Sequence, residues 1–178
     1  MKIILVSGKA RSGKDSFAKE VSAILKSRNQ KVLVAHYAGL LKYICKEFFD
    51  WNGKKDETGR TLLQKVGTEG FRKKNPEYWV KFIKDIINVF PNEWDYVIIP
   101  DCRFKNEIES WKKDGYNIFT VRMERLDYQS QLTEEQQNHQ SEVDLDDYDF
   151  DMKFCCPDGY ENIINCANDF VEVVLDEQ

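Results

Sequence analysis

Gly8, Gly13 and Lys14 are spaced as Gly-x-x-x-x-Gly-Lys, directly after the apolar run Ile3–Val6. Residues of these types in this order make an anion site. The glycines let backbone N–H groups converge on phosphate oxygens, a helix opening there adds its dipole, and the lysine reaches the β- and γ-phosphates. The residue after Lys14 is Asp15, and a hydroxyl follows one position later, at Ser16. Two more groups belong to the same chemistry. Asp101 and Arg103 follow the apolar run Tyr96–Ile99, and Arg122 and Arg125 follow the run Tyr116–Val121. A strand-end carboxylate helps hold Mg²⁺ in phosphoryl-transfer sites, although aspartate serves equally as a helix N-cap. Arginines match phosphate oxygens in pairs and stabilise the charge spread over a moving phosphoryl group. Without the glycine loop they would read as surface cations, with Arg103 pairing Glu107 one helical turn on.

The elements needed to position these residues are visible in the apolar pattern. Ile3–Val6 is a short buried-type strand, and Phe17, Val21, Ile24 and Leu25 then follow helical spacing. A second strand is expected over Lys31–Tyr37 and a helix over Leu40–Phe49. Asp50–Gly59 is polar and reads as a loop. Leu62, Leu63, Val66 and Phe71 predict a helix interrupted near Gly67 and Gly70, and Pro76 opens another that carries Trp79, Phe82, Ile83 and Ile86. Further strands are expected at Tyr96–Ile99, Tyr116–Val121 and Phe150–Cys155, with a helix ended by Gly115 and a last helix from Ile163. Glu124–Asp149 is polar and acidic, and reads as a lid or an extended connection. Alternating strands and helices predict a mostly parallel sheet with helices on both faces, whose ligands lie beyond the carboxyl ends of the strands. That rule brings the glycine loop, Tyr37–Gly39 and Asp101–Arg103 to one place.

Composition excludes several other classes. With 178 residues, 42% apolar and 32% charged, the chain suits one globular domain. A net charge of -5 argues against stable nucleic-acid binding, and no apolar run has the length of a membrane span. The expected localisation is therefore cytoplasmic. Five cysteines, with no Cys-x-x-Cys pair, fit free thiols better than a disulfide framework or a zinc site. His139, Ser141 and Glu142 are too close in sequence to form a nucleophile, base and orienter set, and no elbow motif surrounds Ser141.

Five segments in order resemble the deoxynucleoside monophosphate kinases of tailed bacteriophages, within the nucleoside monophosphate kinase group. They are Ser7–Ser16, Ala38–Lys42, Arg60–Thr68 with Tyr78–Lys81, Ile99–Arg103 with Glu107, and His139-x-Ser141-Glu142. The resemblance implies a P-loop NTPase-type three-layer sandwich. Its core would be about 1–40, 91–123 and 150–178, with a helical monophosphate-binding insert at about 41–90 and a lid at about 124–149. It implies transfer of the ATP γ-phosphate to a (deoxy)nucleoside 5′-monophosphate, with ATP and Mg²⁺ as cofactors. Gly8, Ser12, Gly13, Lys14, Asp15 and Ser16 would hold the ATP phosphates, with Asp15, Ser16 and Asp101 at the metal. Arg11, Leu41, Lys42, Arg60, Gly67, Thr68, Trp79 and Glu107 would line the acceptor site, and Lys14, Arg11, Asp101, Arg103, Arg122 and Arg125 would be the catalytic set. A homodimer, and a host cytosol if the protein is phage-encoded, are further expectations of the resemblance. The chain departs from the pattern at Leu40, where proline is usual, in the short span from Lys42 to Arg60, and at Cys156-Pro157-Asp158-Gly159, where asparagine usually precedes Asp-Gly. Two alternatives remain. Phosphomevalonate-type kinases share a similar loop and a Ser-Glu-x-x-Leu-Asp motif that Ser141–Asp146 fits, although the Arg60–Thr68 segment favours a nucleotide. The other is a nucleotide-binding regulatory module without turnover.

Overall fold

The computed structural model describes residues 1–126, 130 and 132–176. Residues 127–129 and 131 of the expected lid, and 177–178 of the expected core, lie outside that description. The order of elements is β1 (Lys2–Ser7), α1 (Lys14–Ser27), β2 (Val32–Val34), α2 (Ala38–Phe48), α3 (Glu57–Gln64), a π-helix (Lys65–Arg72) and α4 (Tyr78–Val89). Then come β3 (Tyr96–Cys102), α5 (Lys105–Lys113), β4 (Asn117–Arg125), α6 (Glu134–Asn138), α7 (Gln140–Val143), β5 (Met152–Cys156) and α8 (Tyr160–Asp176). The five strands form one sheet in the order β2-β3-β1-β4-β5, and every pairing is parallel.

The central strand explains the layers. All six residues of β1 are buried, and successive side chains point to opposite faces. Ile3 and Leu5 join one apolar cluster with Val97, Ile99, Trp79, Ile83 and Trp111. Ile4 and Val6 join the other with Phe17, Val21, Leu25, Ile98, Phe119 and Phe170. So α1 and α8 cover one face, while α2, α4 and α5 cover the other. Burial on both faces is why the strands read as continuous apolar runs rather than alternating ones. Trp111 is fully buried, and its indole N–H donates to Tyr37 Oη at 2.7 Å.

Three local departures from the sequence reading affect the site. The segment from Glu57 to Arg72 is not interrupted at Gly67. The helix α3 widens into the π-helix there, and a Cβ on Gly67 would lie 2.6 Å from Leu41 Cδ2. Gly67 therefore serves close packing on α2 rather than chain reversal. Strand β4 runs to Arg125, so Arg122 and Arg125 belong to the sheet and not to the segment after it. The segment 133–151 is anchored rather than extended: Leu145 is 2% exposed within the core, and Asp151 accepts hydrogen bonds from the Thr120 N–H and hydroxyl.

Candidate active site

The loop between β1 and α1 has the conformation an anion site needs. Gly13 sits at φ 89°, where a side chain is strained, and a Cβ there would lie 2.9 Å from Ile163 Cδ1. A Cβ on Gly8 would lie 2.3 Å from Ser12 Oγ and 2.5 Å from the Met123 carbonyl oxygen. Arg11 also has a positive φ, 60°, on the exposed part of the loop. Ser12 Oγ is buried with no hydrogen-bond partner. Leaving such a group unsatisfied costs about 1–3 kcal/mol, and a phosphate oxygen would satisfy it.

Lys14 is 5% exposed, and its ammonium donates to the Lys9 carbonyl oxygen at 3.1 Å. Burial, and then the neighbouring Arg103 charge, push its pKa down to about 8, against the pull of Asp15, Glu142 and Asp101. Two cations held together in a buried place favour an arriving anion. The sign of a pH effect follows. Below about 8 the lysine of the ligand-free protein carries its proton, and above it the charge that attracts phosphate is lost. The free protein's affinity for a triphosphate group is therefore expected to fall as pH rises through that value. Binding titrations on either side of it check this, and a constant affinity across the range would contradict it.

Beyond the strand ends lies a pocket of about 200 Å³. Its walls bring together Lys14, Asp15, Leu41, Lys42, Arg60, Gly67, Thr68, Trp79, Asp101, Arg103 and Glu107. A second pocket, about 340 Å³, contains Ser12, Arg122 and Arg125 with Lys9 and Glu142. Arg11 and Ser16 line neither pocket, while Gly8 and Gly13 shape the loop. Trp79 is buried, and its indole N–H donates to the Gly67 carbonyl oxygen at 3.2 Å. Arg60 Nε donates to the Lys55 carbonyl oxygen at 3.0 Å. Burial lowers the Lys55 pKa, followed by the charge of Lys42 and smaller effects of Arg60 and Arg103. The wall therefore carries a concentrated positive charge.

Several predicted residues have duties that sequence alone did not assign. Asp101 does not cap the helix that follows it. Its two oxygens accept from the Tyr37 and Ala38 N–H groups, each at 2.9 Å, and so fix the start of α2. Glu107 is 2% exposed and pairs with the Arg72 guanidinium rather than that of Arg103. Its second oxygen accepts from the Arg103 N–H at 2.6 Å and the Phe104 N–H at 3.1 Å. Burial pushes the carboxyl up to about 7, opposed by Arg72 and those N–H groups. Arg72 also stacks on the Phe104 ring at 3.7 Å. Arg103 pairs with Glu142, Arg122 with Asp146, and Arg125 with Asp158. Gln136 donates to the Glu57 carbonyl and Thr61 hydroxyl oxygens, tying α6 to α3 across the pocket.

Sequence reasoning missed Lys55, Arg72 and Gln136 as wall residues. Lys55 lay in a polar loop and Arg72 at the end of an apolar helix, and neither has a motif. Glu142 lay in a quoted motif, but its position in the walls of both pockets could not be read there.

The donor set fits Mg²⁺ bound together with phosphate. Asp15 lines the pocket with His36 Nε2 3.5 Å from its Oδ1, and that imidazole holds its carboxyl below the usual range. Among the described residues, no group of three or more His, Cys, Asp or Glu could hold a metal alone. A magnesium ion would take its remaining ligands from phosphate oxygens and water, as it commonly does.

Known proteins resemble this chain in fold and in family. APS kinase CysC of Mycobacterium tuberculosis, solved as a mutant, superposes with a TM-score of 0.55 at 12% identity, covering 97% of this chain and 96% of its own. A sugar kinase from Janibacter sp. HTCC2649 gives a TM-score of 0.51 at 10% identity, covering 96% and 94%. At such identities the likeness concerns the fold alone: an α/β arrangement of a parallel sheet with helices on both faces. No curated protein sequence matches. The family "Deoxynucleotide monophosphate kinase" matches residues 23–152, a span that begins inside α1, after the glycine loop. Loop and family match thus rest on different residues, and together they place the protein: the chain belongs to the deoxynucleotide monophosphate kinase family.

Proposed function

We propose that the protein transfers the γ-phosphoryl group of ATP to the phosphate of a (deoxy)nucleoside 5′-monophosphate, giving ADP and the diphosphate. One observation carries this reading. A single pocket joins Lys14 of the loop to a wall with Lys42, Lys55, Arg60 and Arg103 and with the apolar surfaces of Leu41, Leu63 and Trp79. An acceptor with one phosphate and one flat base suits that division. The family membership supports it.

In this reading the chain works as one kinase domain, with 41–90 as the acceptor insert and 124–149 as the lid. Lys14 and Arg103 neutralise the phosphoryl group in flight, and Lys42 and Arg60 hold the acceptor phosphate. That phosphate is already nucleophilic, so no general base is needed, and catalysis is positioning with charge stabilisation. Asp15, which lines the pocket, would hold Mg²⁺ together with phosphate oxygens and water, and the ion would neutralise charge on the phosphates; Ser16 lines neither pocket, and both Asp101 oxygens already accept backbone N–H groups. Gln136 keeps the lid against α3, which excludes water. Arg122 is fixed in β4 by Ser7 and Asp146 and acts from the sheet.

Arg60→Ala is expected to raise KM for the monophosphate about tenfold or more, the usual loss for a charged hydrogen-bonding partner, with KM for ATP unchanged. A selective effect on ATP would contradict that placement. The proposal itself is tested by ADP release over a panel of deoxynucleoside and nucleoside monophosphates and non-nucleotide phosphates. Turnover with a deoxynucleoside monophosphate is expected. Turnover only with a non-nucleotide acceptor, or with none, would overturn it.

A further inference from the structure

The lid brings carboxylates to the phosphate-binding side of the site. Glu142 Oε1 pairs with Arg103 Nη1, and the Ser141 carbonyl oxygen accepts from the same atom at 3.2 Å. The Glu142 carbonyl oxygen accepts from Lys9 of the loop. One turn later, Asp146 accepts from Lys9 and from Arg122. Two of the cations expected to face nucleotide phosphates, Arg103 and Arg122, and Lys9 of the loop are therefore occupied by groups of one short segment.

Glu142 is the more telling of the two. Its side chain is 8% exposed and borders both pockets, which places it between the loop side and the acceptor side. Oε1 is paired, but Oε2 is buried with no hydrogen-bond partner. A buried carboxylate oxygen left unpaired carries a desolvation cost, so its position needs compensation. The compensation is cationic: Arg103 touches it, and its field reaches Lys14. A negative group that pairs with Arg103 in the pocket Lys14 also lines has the charge arrangement of a phosphoryl group in this site.

We propose that, in the nucleotide-free protein, the Glu142 carboxylate stands where the transferred phosphoryl group comes to lie and is displaced by the triphosphate. This rests on the reading of the site as a phosphoryl-transfer centre. Glu142 holds Arg103 in place and keeps the lid docked until nucleotide arrives, and one anion then exchanges for another. Leu145, packed in the core, keeps the lid attached while the turn before it releases. ATP must compete with Glu142, so its apparent affinity is reduced by the share of molecules in the docked state.

The test is equilibrium binding of ATP, without acceptor, to the full chain and its variants by calorimetry. Glu142→Gln, which removes the competing charge but keeps the shape, is expected to lower Kd for ATP about 5–10-fold without raising kcat. Glu142→Asp, which keeps the charge, should bind close to wild type. Equal or weaker binding by Glu142→Gln would overturn the proposal, since a merely structural carboxylate predicts that result. If that variant does not fold, Asp146→Asn at a half-exposed side chain tests the same competition at Lys9 and Arg122, and unchanged or weaker binding there overturns it. A wild-type chain that binds no ATP would refute the phosphoryl-transfer reading along with it. A wild type that binds ATP, with variants that bind no tighter, refutes the displacement alone.

Discussion

Lys14→Ala is expected to lower kcat by about 10³-fold, as removal of a positioned electrostatic stabiliser does, and to leave the protein folded. Both halves come from the same burial. Lys14 is 5% exposed and feels the Arg103 charge, so its ammonium is poorly replaced by water when it is removed. The stability half has a definite sign. The folded-state pKa is about 8 against 10.5 for a free lysine, so the unfolded chain holds this proton more tightly. Between those values the unfolded state binds more protons, and stability rises with pH. At neutral pH the charged lysine thus disfavours folding, and its removal relieves that cost. Tm at pH 7 should be no lower than wild type while turnover is nearly lost. Near-normal turnover would contradict the assignment of the loop, and parallel loss of fold and activity would contradict the electrostatics.

Arg72→Ala is expected to cost about 3–5 kcal/mol of stability at about pH 9, where Glu107 is ionised in the wild type, the range for leaving one member of a buried ion pair alone. Glu107 is 2% exposed, and Arg72 is its only cationic hydrogen-bond partner among the described residues. The carboxylate also caps α5 through the Arg103 and Phe104 N–H groups. Without Arg72 the carboxyl moves further above about 7, where burial already holds it. The protonated form is then favoured in the folded state. The deficit should be largest above that pKa and shrink as pH falls towards 5, where the buried group is neutral. Urea unfolding at the two pH values measures it. A small, pH-independent loss would show that the pair does not support the fold as described. The pocket wall should loosen with it, because Arg72 also holds Asn106 and the Pro76 carbonyl oxygen.

The parts of this molecule that were legible in sequence are those where one physical demand dominates. Buried parallel strands demand apolar runs, and β1, β3 and β4 were visible for that reason. Close backbone approach demands glycine, and Gly8 and Gly13 announced the loop. Gly67 was misread because a helix interruption and a close contact ask for the same residue; only the proximity of Leu41 and the bond from Trp79 decide between them. Asp101 showed itself as a strand-end acid, but which helix it serves depends on α2 lying beside β3. Arg72 and Glu107 are separated by 35 positions, and no local pattern records their pairing. Arg122 and Arg125 read as following the fourth strand because charged residues rarely extend a buried apolar run; here β4 continues to Arg125, and Asp146 and Asp158 provide the partners. The motif from Ser141 to Asp146 acquired a physical meaning only in three dimensions, with Leu145 as anchor and Glu142 and Asp146 as the acids that meet cations.

Passage of the phosphoryl group from ATP to the phosphate of a nucleoside monophosphate is measured most directly in a single-turnover reaction of the full chain with γ-labelled ATP, Mg²⁺ and a deoxynucleoside monophosphate, with products separated and identified. Label is expected in the deoxynucleoside diphosphate, formed with equal ADP, and none of this with Lys14→Ala. Label released only as inorganic phosphate, or ATP left intact across the monophosphate panel, would contradict it.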